Sequence, residues 1–279
     1  YDGMTTTEIQ ETMIKAAADL ISEDDPNYQI VAGRLISYHL RKEAFGEFTP
    51  PALIDVVQEN IKSKMYEPDL LNWYTVEEYE TMDKWIDHDR DQNYTYAAME
   101  QFRGKYLVQD RYSGKIYETP QIALMLIGAT LFHKYPQQER LTWVKDFYDS
   151  VSKFEISLPT PVMAGVRTAV RQFSSCVLIE SGDSLDSINA TAGGIVKYVS
   201  KRAGIGIGAG SIRAHGSSIN GGHATHTGVI PFFKHFQSAV RSCSQGGVRG
   251  GAATLYYPIF HLEIEDLLVL KNNKGTQDN

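Results

Sequence analysis

Apolar residues recur at helical spacing through the first half of the chain. In "IQETMIKAAADLI", Ile9, Met13, Ala16, Leu20 and Ile21 share one face. Thr5 and Glu8 stand ahead of that face at capping-box spacing, so a helix is predicted to begin there. A second helix, "YQIVAGRLISYHLRKEAF", follows an Asp-Asp-Pro turn and ends before Gly46. Pro50 and Pro51 open a third, and Thr75 with Glu78 cap a fourth. The period then changes in "KYLVQDRYSGKIYE", which predicts a β-hairpin turning at Ser113-Gly114. Two further helices are predicted over 120–134 and 139–152.

After Ser157 the texture shifts. "LPTP" reads as a rigid extended segment and "SSCVLIE" as a short apolar strand. A helix over 184–203 is expected to stop at Gly204 as its C-cap, with "GIGIGAGSIRA" a strand and turn. "HGSSINGGHATHTG" reads as a loop, "VIPFFKHFQSAVRSC" as a helix and "ATLYYPIF" as a strand. Strands alternating with helices predict an α/β architecture, and the change from the helical part falls within 155–172.

Composition narrows the function classes. With 279 residues, 42% hydrophobic and 22% charged, the chain can bury a sizeable core. A net charge of −7 argues against a direct nucleic-acid partner, yet a local arginine can still bind a phosphorylated small molecule. Two cysteines do not make a disulfide framework, and no apolar run is long enough for a membrane span. There is no signal-peptide pattern, so a cytoplasmic location is expected. Tyr1 in place of methionine, and a stop in "KNNKGTQDN" just after an apolar helix, read as the ends of a piece.

Several motifs invite chemistry. Gly204-Ile205-Gly206-Ile207-Gly208-Ala209 fits the dinucleotide fingerprint formally, but a helix precedes it where a strand is required. His215, His223 and His226 lack a cysteine or carboxylate at ligand spacing and read as surface histidines, so no metal is expected. "DHDRD" at 87–91 reads as a solvated charged segment. Cys176 begins a predicted strand, where its thiol can face a cleft; a buried small side chain, a bond to Cys243 and a redox role all remain open on the residues alone. "SCSQGGVRGGAATL" puts Arg249 between two glycine pairs, the composition either of a flexible turn or of a backbone that must come close to a ligand.

The segments "ISLPTPVMAGVRT", "RQFSSCVLIESGDSLDSI", "KRAGIGIGAGSIRAHGS" and "HTGVIPFFKHFQSAVRSCSQGGVRGGAATLYYPIFHLEIEDLLVLKNN" resemble, in this order, the large (α) subunit family of class I ribonucleotide reductases of bacterial and phage type. The resemblance implies a helical N-terminal region, including half of an ATP cone, followed by the first half of a ten-stranded α/β barrel. Its domains would be 1–46 for the partial cone, 47–171 for the helical domain and 172–279 for the opening of the barrel. It further implies reduction of ribonucleoside diphosphates to 2′-deoxyribonucleoside diphosphates by a thiyl-radical mechanism.

Carried over residue by residue, Cys176 falls on the family's redox-active reducing thiol, whose partner would lie beyond Asn279. Thr160, Ser175 and Gly204 match substrate-binding positions, and Gln245 and Arg249 match the loop that reads the bound effector toward the substrate. Asp183, Ser184, Leu185 and Arg213 match the allosteric specificity site, and Asn220 stands where the family uses a basic residue. Thr6 and Lys42 match contacts of the allosteric activity site. The implied ligands are ATP and deoxynucleoside triphosphates with Mg2+. The implied partners are the C-terminal half of the large subunit, a small β subunit carrying a diiron–tyrosyl radical, a second α subunit, and thioredoxin or glutaredoxin. The radical cysteine is not in this chain, so the piece alone is expected to be inactive. A nucleotide-sensing module without catalysis is the alternative.

Overall fold

The computed structural model describes residues 3–243 and 251–270, which fall in two compact units, 1–173 and 174–279. The first is helical: α1 (Thr6–Asp19), α2 (Tyr28–Phe45), α3 (Leu53–Lys62), α4 (Leu70–Trp73), α5 (Val76–Trp85), α6 (Tyr96–Gln101), α7 (Pro120–Phe132), α8 (Gln137–Ser152) and α9 (Thr160–Gly165). Local signals set many of its boundaries. The Thr5 hydroxyl accepts from the Glu8 N–H at 3.2 Å while the Glu8 carboxylate accepts from the Thr5 N–H at 2.7 Å. Thr75 and Glu78 repeat that reciprocal cap at α5. Gly46 ends α2 at φ 77°, a left-handed conformation that glycine adopts without strain.

The core of this unit is α7, buried on every side from Pro120 to Ala129. Ala32, Ile36 and Leu40 of α2 are buried too, the latter two in the cluster that also takes in Leu53, Tyr94 and Met99. The segment expected to be a cone remnant thus packs within the same unit as the helices that follow it.

Three local expectations change. The hairpin reduces to one bridge, Gln109 to Ile116, because α6 continues into a π-helical turn over Phe102–Tyr106. In "LPTP", Pro159 is extended, but Thr160 and Pro161 begin α9, where proline's missing N–H costs nothing. "DHDRD" is solvated only in part: Asp87 and Asp89 are exposed, but the segment enters a 3-10 helix, His88–Asn93, and Asp91 is buried with Gln121 Nε2 donating to it at 2.9 Å.

The second unit runs β1 (Cys176–Glu180), α10 (Leu185–Val199), β2 (Gly204–Gly208), β3 (Ser218–Ile219), β4 (Ala224–Thr225), α11 (Ile230–Arg241), β5 (Ala253–Tyr256) and α12 (Ile264–Val269). Strands β1, β2 and β5 form a parallel sheet in that order, with Cys176 opposite Gly204 and Gly208 opposite both Glu180 and Tyr256. Parallel neighbours need a crossover, which α10 supplies between β1 and β2 and α11 between β2 and β5. Ile188, Ile195 and Val199 of α10 and Phe233, Phe236 and Val240 of α11 pack with Ile205 and Ile207. Helix α10 ends earlier than expected: Ser200 is its C-cap, Arg202 turns the chain at φ 71°, and Gly204 belongs to β2. The expected loop after His215 contains the short antiparallel pair β3–β4. Among the described residues no helix is long and apolar enough to cross a membrane.

Candidate functional site

Side chains alternate across a strand, so the sheet has two unlike faces. One carries Ile205 and Ile207 into the core; the other carries Cys176, Leu178 and Glu180 beside Gly204, Gly206 and Gly208. That second face is open, with Leu178 82% exposed and Cys176 also exposed. The glycine column lies under its neighbours' side chains. A Cβ on Gly204 would stand 3.3 Å from Cys176 Sγ, one on Gly206 would stand 2.5 Å from Leu178 Cδ2, and one on Gly208 would overlap the Glu180 carboxylate. Glycine at these positions keeps the floor low beside the thiol.

The structure therefore brings Ser175, Cys176 and Gly204 together at one end of β1 and β2. The Gly204 N–H donates to the Ser175 carbonyl at 2.8 Å. Parallel pairing consumes that donor, so what Gly204 offers is room. Cys176 and Cys243 are both free thiols.

A second cluster forms where β1 leaves the sheet. The Ser184 hydroxyl caps α10 by accepting from the Ser187 N–H at 3.2 Å, and Leu185 beside it is exposed. Asp183 accepts from the Arg213 backbone N–H at 2.8 Å and from Arg213 Nε at 2.5 Å. Burial pushes the Asp183 carboxyl up, but those two hydrogen bonds and the guanidinium charge outweigh it and hold the group below the usual carboxylate range. Arg213 Nη1 donates to the Ser218 carbonyl at 2.8 Å, which ties the β3–β4 pair to the cluster. Asn220 opens the turn between β3 and β4 at φ 51°, a conformation asparagine tolerates better than most residues. Asp183, Ser184, Leu185 and Arg213 thus meet, with Asn220 on the adjoining turn.

In the helical unit, Thr160 is the first residue of α9, and a buried ion pair anchors that helix. Arg167, fully buried, donates from Nη1 to the Met163 carbonyl at 2.6 Å and from Nε to Glu118 Oε2 at 2.7 Å. Tyr66 Oη and the Val108 N–H also donate to Glu118, at 2.5 and 2.6 Å. Farther along the chain's first helices, Lys42 Nζ lies 3.4 Å from Thr6 Oγ1, so these two expected neighbours do meet.

Gln245 and Arg249 lie outside the described residues. Among the described residues no three His, Cys, Asp or Glu side chains are grouped to hold a metal. His226 Nδ1 instead accepts from the Gly228 N–H at 3.0 Å. Arg167, Glu118, His261 and Glu263 carried no role in the sequence, since the ion pair of the first two spans 49 residues and His261 and Glu263 reach backbone groups 34 to 49 residues away.

Comparison with known proteins agrees with this layout. Residues 92–171 match the profile described as ribonucleotide reductase, all-alpha domain, and residues 174–279 match that of the ribonucleotide reductase barrel domain. The chain is 64% identical over all 279 residues to ribonucleoside-diphosphate reductase subunit alpha of Haemophilus influenzae, and equally to subunit alpha of reductase 1 of Escherichia coli K12. It is 56% identical over 278 residues to the corresponding subunit of Enterobacteria phage T4. In each case the whole chain is matched, and it spans 37% of the relative's length. The two profiles change over where the two units divide. The chain belongs to the ribonucleotide reductase large-subunit family, of which it carries the helical region and the opening strands of the barrel.

Proposed function

We propose that this chain is part of the large subunit of a class I ribonucleoside-diphosphate reductase, with Cys176 one of its two reducing thiols. The observation that carries the reading is the exposed Cys176 at the start of β1, opposite a glycine that leaves space beside the sulfur. Loss of the 2′-hydroxyl as water requires two electrons and two protons. Two thiols closing to a disulfide release that number, and thioredoxin or glutaredoxin would reopen the bond by thiol exchange. The second thiol and the radical cysteine belong to the remainder of the subunit, and the radical to a diiron–tyrosyl β subunit. Thr160 and the Ser175 hydroxyl would hold the diphosphate and ribose.

Asp183, Ser184, Leu185 and Arg213, on an α–α dimer, would hold a deoxynucleotide or ATP effector with its Mg2+. The guanidinium of Arg213 is already oriented by Asp183 and Ser218, and its planar fork suits phosphate oxygens. Gln245 and Arg249 would carry the effector's identity to the substrate base, a coupling that needs only about 1–3 kcal/mol. Thr6 and Lys42 would contribute to an activity site for ATP and dATP. A cytoplasmic setting fits the reductant.

The test is Cys176→Ser in the full-length subunit reconstituted with its small subunit. Thioredoxin-coupled reduction of ribonucleoside diphosphates should be abolished; turnover near the parent's would overturn the assignment.

A further inference from the structure

Glu263 follows β5 and has no role in the reading above, yet it joins three separated stretches of the second unit. Its Oε2 accepts from the His215 N–H at 3.0 Å and from the Val229 N–H at 3.0 Å. Gly228, at φ 93°, presses against the same carboxylate so closely that a Cβ there would stand 2.5 Å from Oε1. Two residues earlier, His261 Nε2 lies 3.0 Å from the Ile212 carbonyl, and its Nδ1 accepts from the Glu263 N–H at 3.1 Å. These partners assign the tautomer: Nδ1 accepts, so Nε2 carries the proton and donates to Ile212.

The stretch 212–215 is therefore held from both sides. Asp183 takes the N–H and guanidinium of Arg213, while His261 and Glu263 take the Ile212 carbonyl and the His215 N–H. Glu263 also fixes the return of the loop, since Val229 is the residue from which α11 starts. A carboxylate accepting backbone N–H groups makes stronger hydrogen bonds than a neutral acceptor. Loops with few buried apolar contacts and a short two-stranded ladder are at the low-stability end of a fold.

We propose that Glu263 is a positioning residue for the effector loop: its carboxylate staples both ends of the β3–β4 excursion to the chain leaving β5, and so sets how tightly a nucleotide effector is held. The proposal rests on the reading of Asp183 and Arg213 as effector ligands. Losing the staple lets Arg213 and the Ser218 turn sample more conformations, and only part of them are competent to bind, which lowers apparent affinity by that fraction.

The experiment uses the full-length subunit with its small subunit, radiolabelled dTTP as the probe, and reductase turnover with and without it. Glu263→Ala should raise the dTTP Kd about tenfold, equivalent to about 1.4 kcal/mol, while effector-free turnover stays within about twofold. Glu263→Gln should fall between the parent and Glu263→Ala, because an amide oxygen can accept both N–H bonds but without the charge that strengthens them. A folded Glu263→Ala that binds dTTP as the parent does overturns the proposal. So does one that loses basal and effector-stimulated turnover in equal proportion, which is what a merely structural role would produce. If Glu263→Ala does not fold, Glu263→Asp withdraws the carboxylate by one methylene and carries the same expectation and the same refutation. Asp183→Ala separates the two levels: unchanged dTTP binding there defeats the effector-site reading itself, whereas weakened binding there with unchanged binding in Glu263→Ala defeats only the staple.

Discussion

Gly204 lies directly across the parallel ladder from Cys176, and a methyl group on its Cα would stand 3.3 Å from the cysteine sulfur. That contact is tighter than ordinary packing, so the sulfur would have to move by a few tenths of an ångström. Small displacements of a reacting group are costly, a misplacement of about 1 Å reaching about 100-fold in rate. Gly204→Ala in the reconstituted reductase should lower turnover about tenfold, with a thermal midpoint close to the parent's. Undiminished turnover would mean that the space beside the thiol is not used.

Asp91 gives a pH dependence. Burial pushes its carboxyl up to about 7, against weaker opposition from the Gln121 hydrogen bond and the Arg41 charge; Asp87 and Asp89 add to the rise. Its Oδ2 is buried and has no hydrogen-bond partner among the described residues. An unfolded aspartate titrates near 3.9. With the folded value raised, the contribution to stability is fully present below about pH 4 and is lost as pH climbs through about 7. The parent should therefore lose up to ~4 kcal/mol across that window, and Asp91→Asn should flatten the profile. Parallel melting curves for the two proteins from pH 5 to 8 would refute it.

Glu118 and Arg167 form a pair that is expensive to break and cheap to replace. Both side chains are fully buried. Removing one partner leaves a charge without compensation, about 3–5 kcal/mol by analogy with other buried pairs. Glu118→Ala should lower the chemical-denaturation stability by that amount, whereas the double change Glu118→Leu with Arg167→Met should recover most of it. Equal losses in both variants would show that the hydrogen bonds Glu118 accepts from the Val108 N–H and Tyr66 Oη, rather than the unpaired charge, set the cost.

What could be read from the chain alone follows the range of the interactions involved. The caps at Thr5 and Thr75, the stop at Gly46 and the strand beginning at Cys176 depend on neighbours a few residues away, and each stands where the pattern put it. The "DHDRD" segment misled at Asp91, which is buried and takes a hydrogen bond from Gln121 of another helix. The hairpin misled because alternation in "KYLVQDRY" begins inside a π-turn whose Phe102 is committed to the core. At the site, Cys176, Asp183 and Arg213 were legible through resemblance; the fold pairs Asp183 with Arg213 and leaves Cys176 at the opposite end of β1. Glu263 was not, since its two donors stand 34 and 48 residues away and backbone N–H groups leave no trace in residue identity.

The order of the sheet has a consequence for synthesis. No two of its strands can zip together as a hairpin, because each waits for a whole helix to be made before its neighbour exists. During translation at about 5–20 residues per second, the glycine strand spends several seconds with one edge bare until Ala253–Tyr256 leaves the ribosome. In that interval it offers a nascent polypeptide a ready template for wrong pairing, and a ribosomal pause between the codons for Gly208 and Ala253 would prolong it.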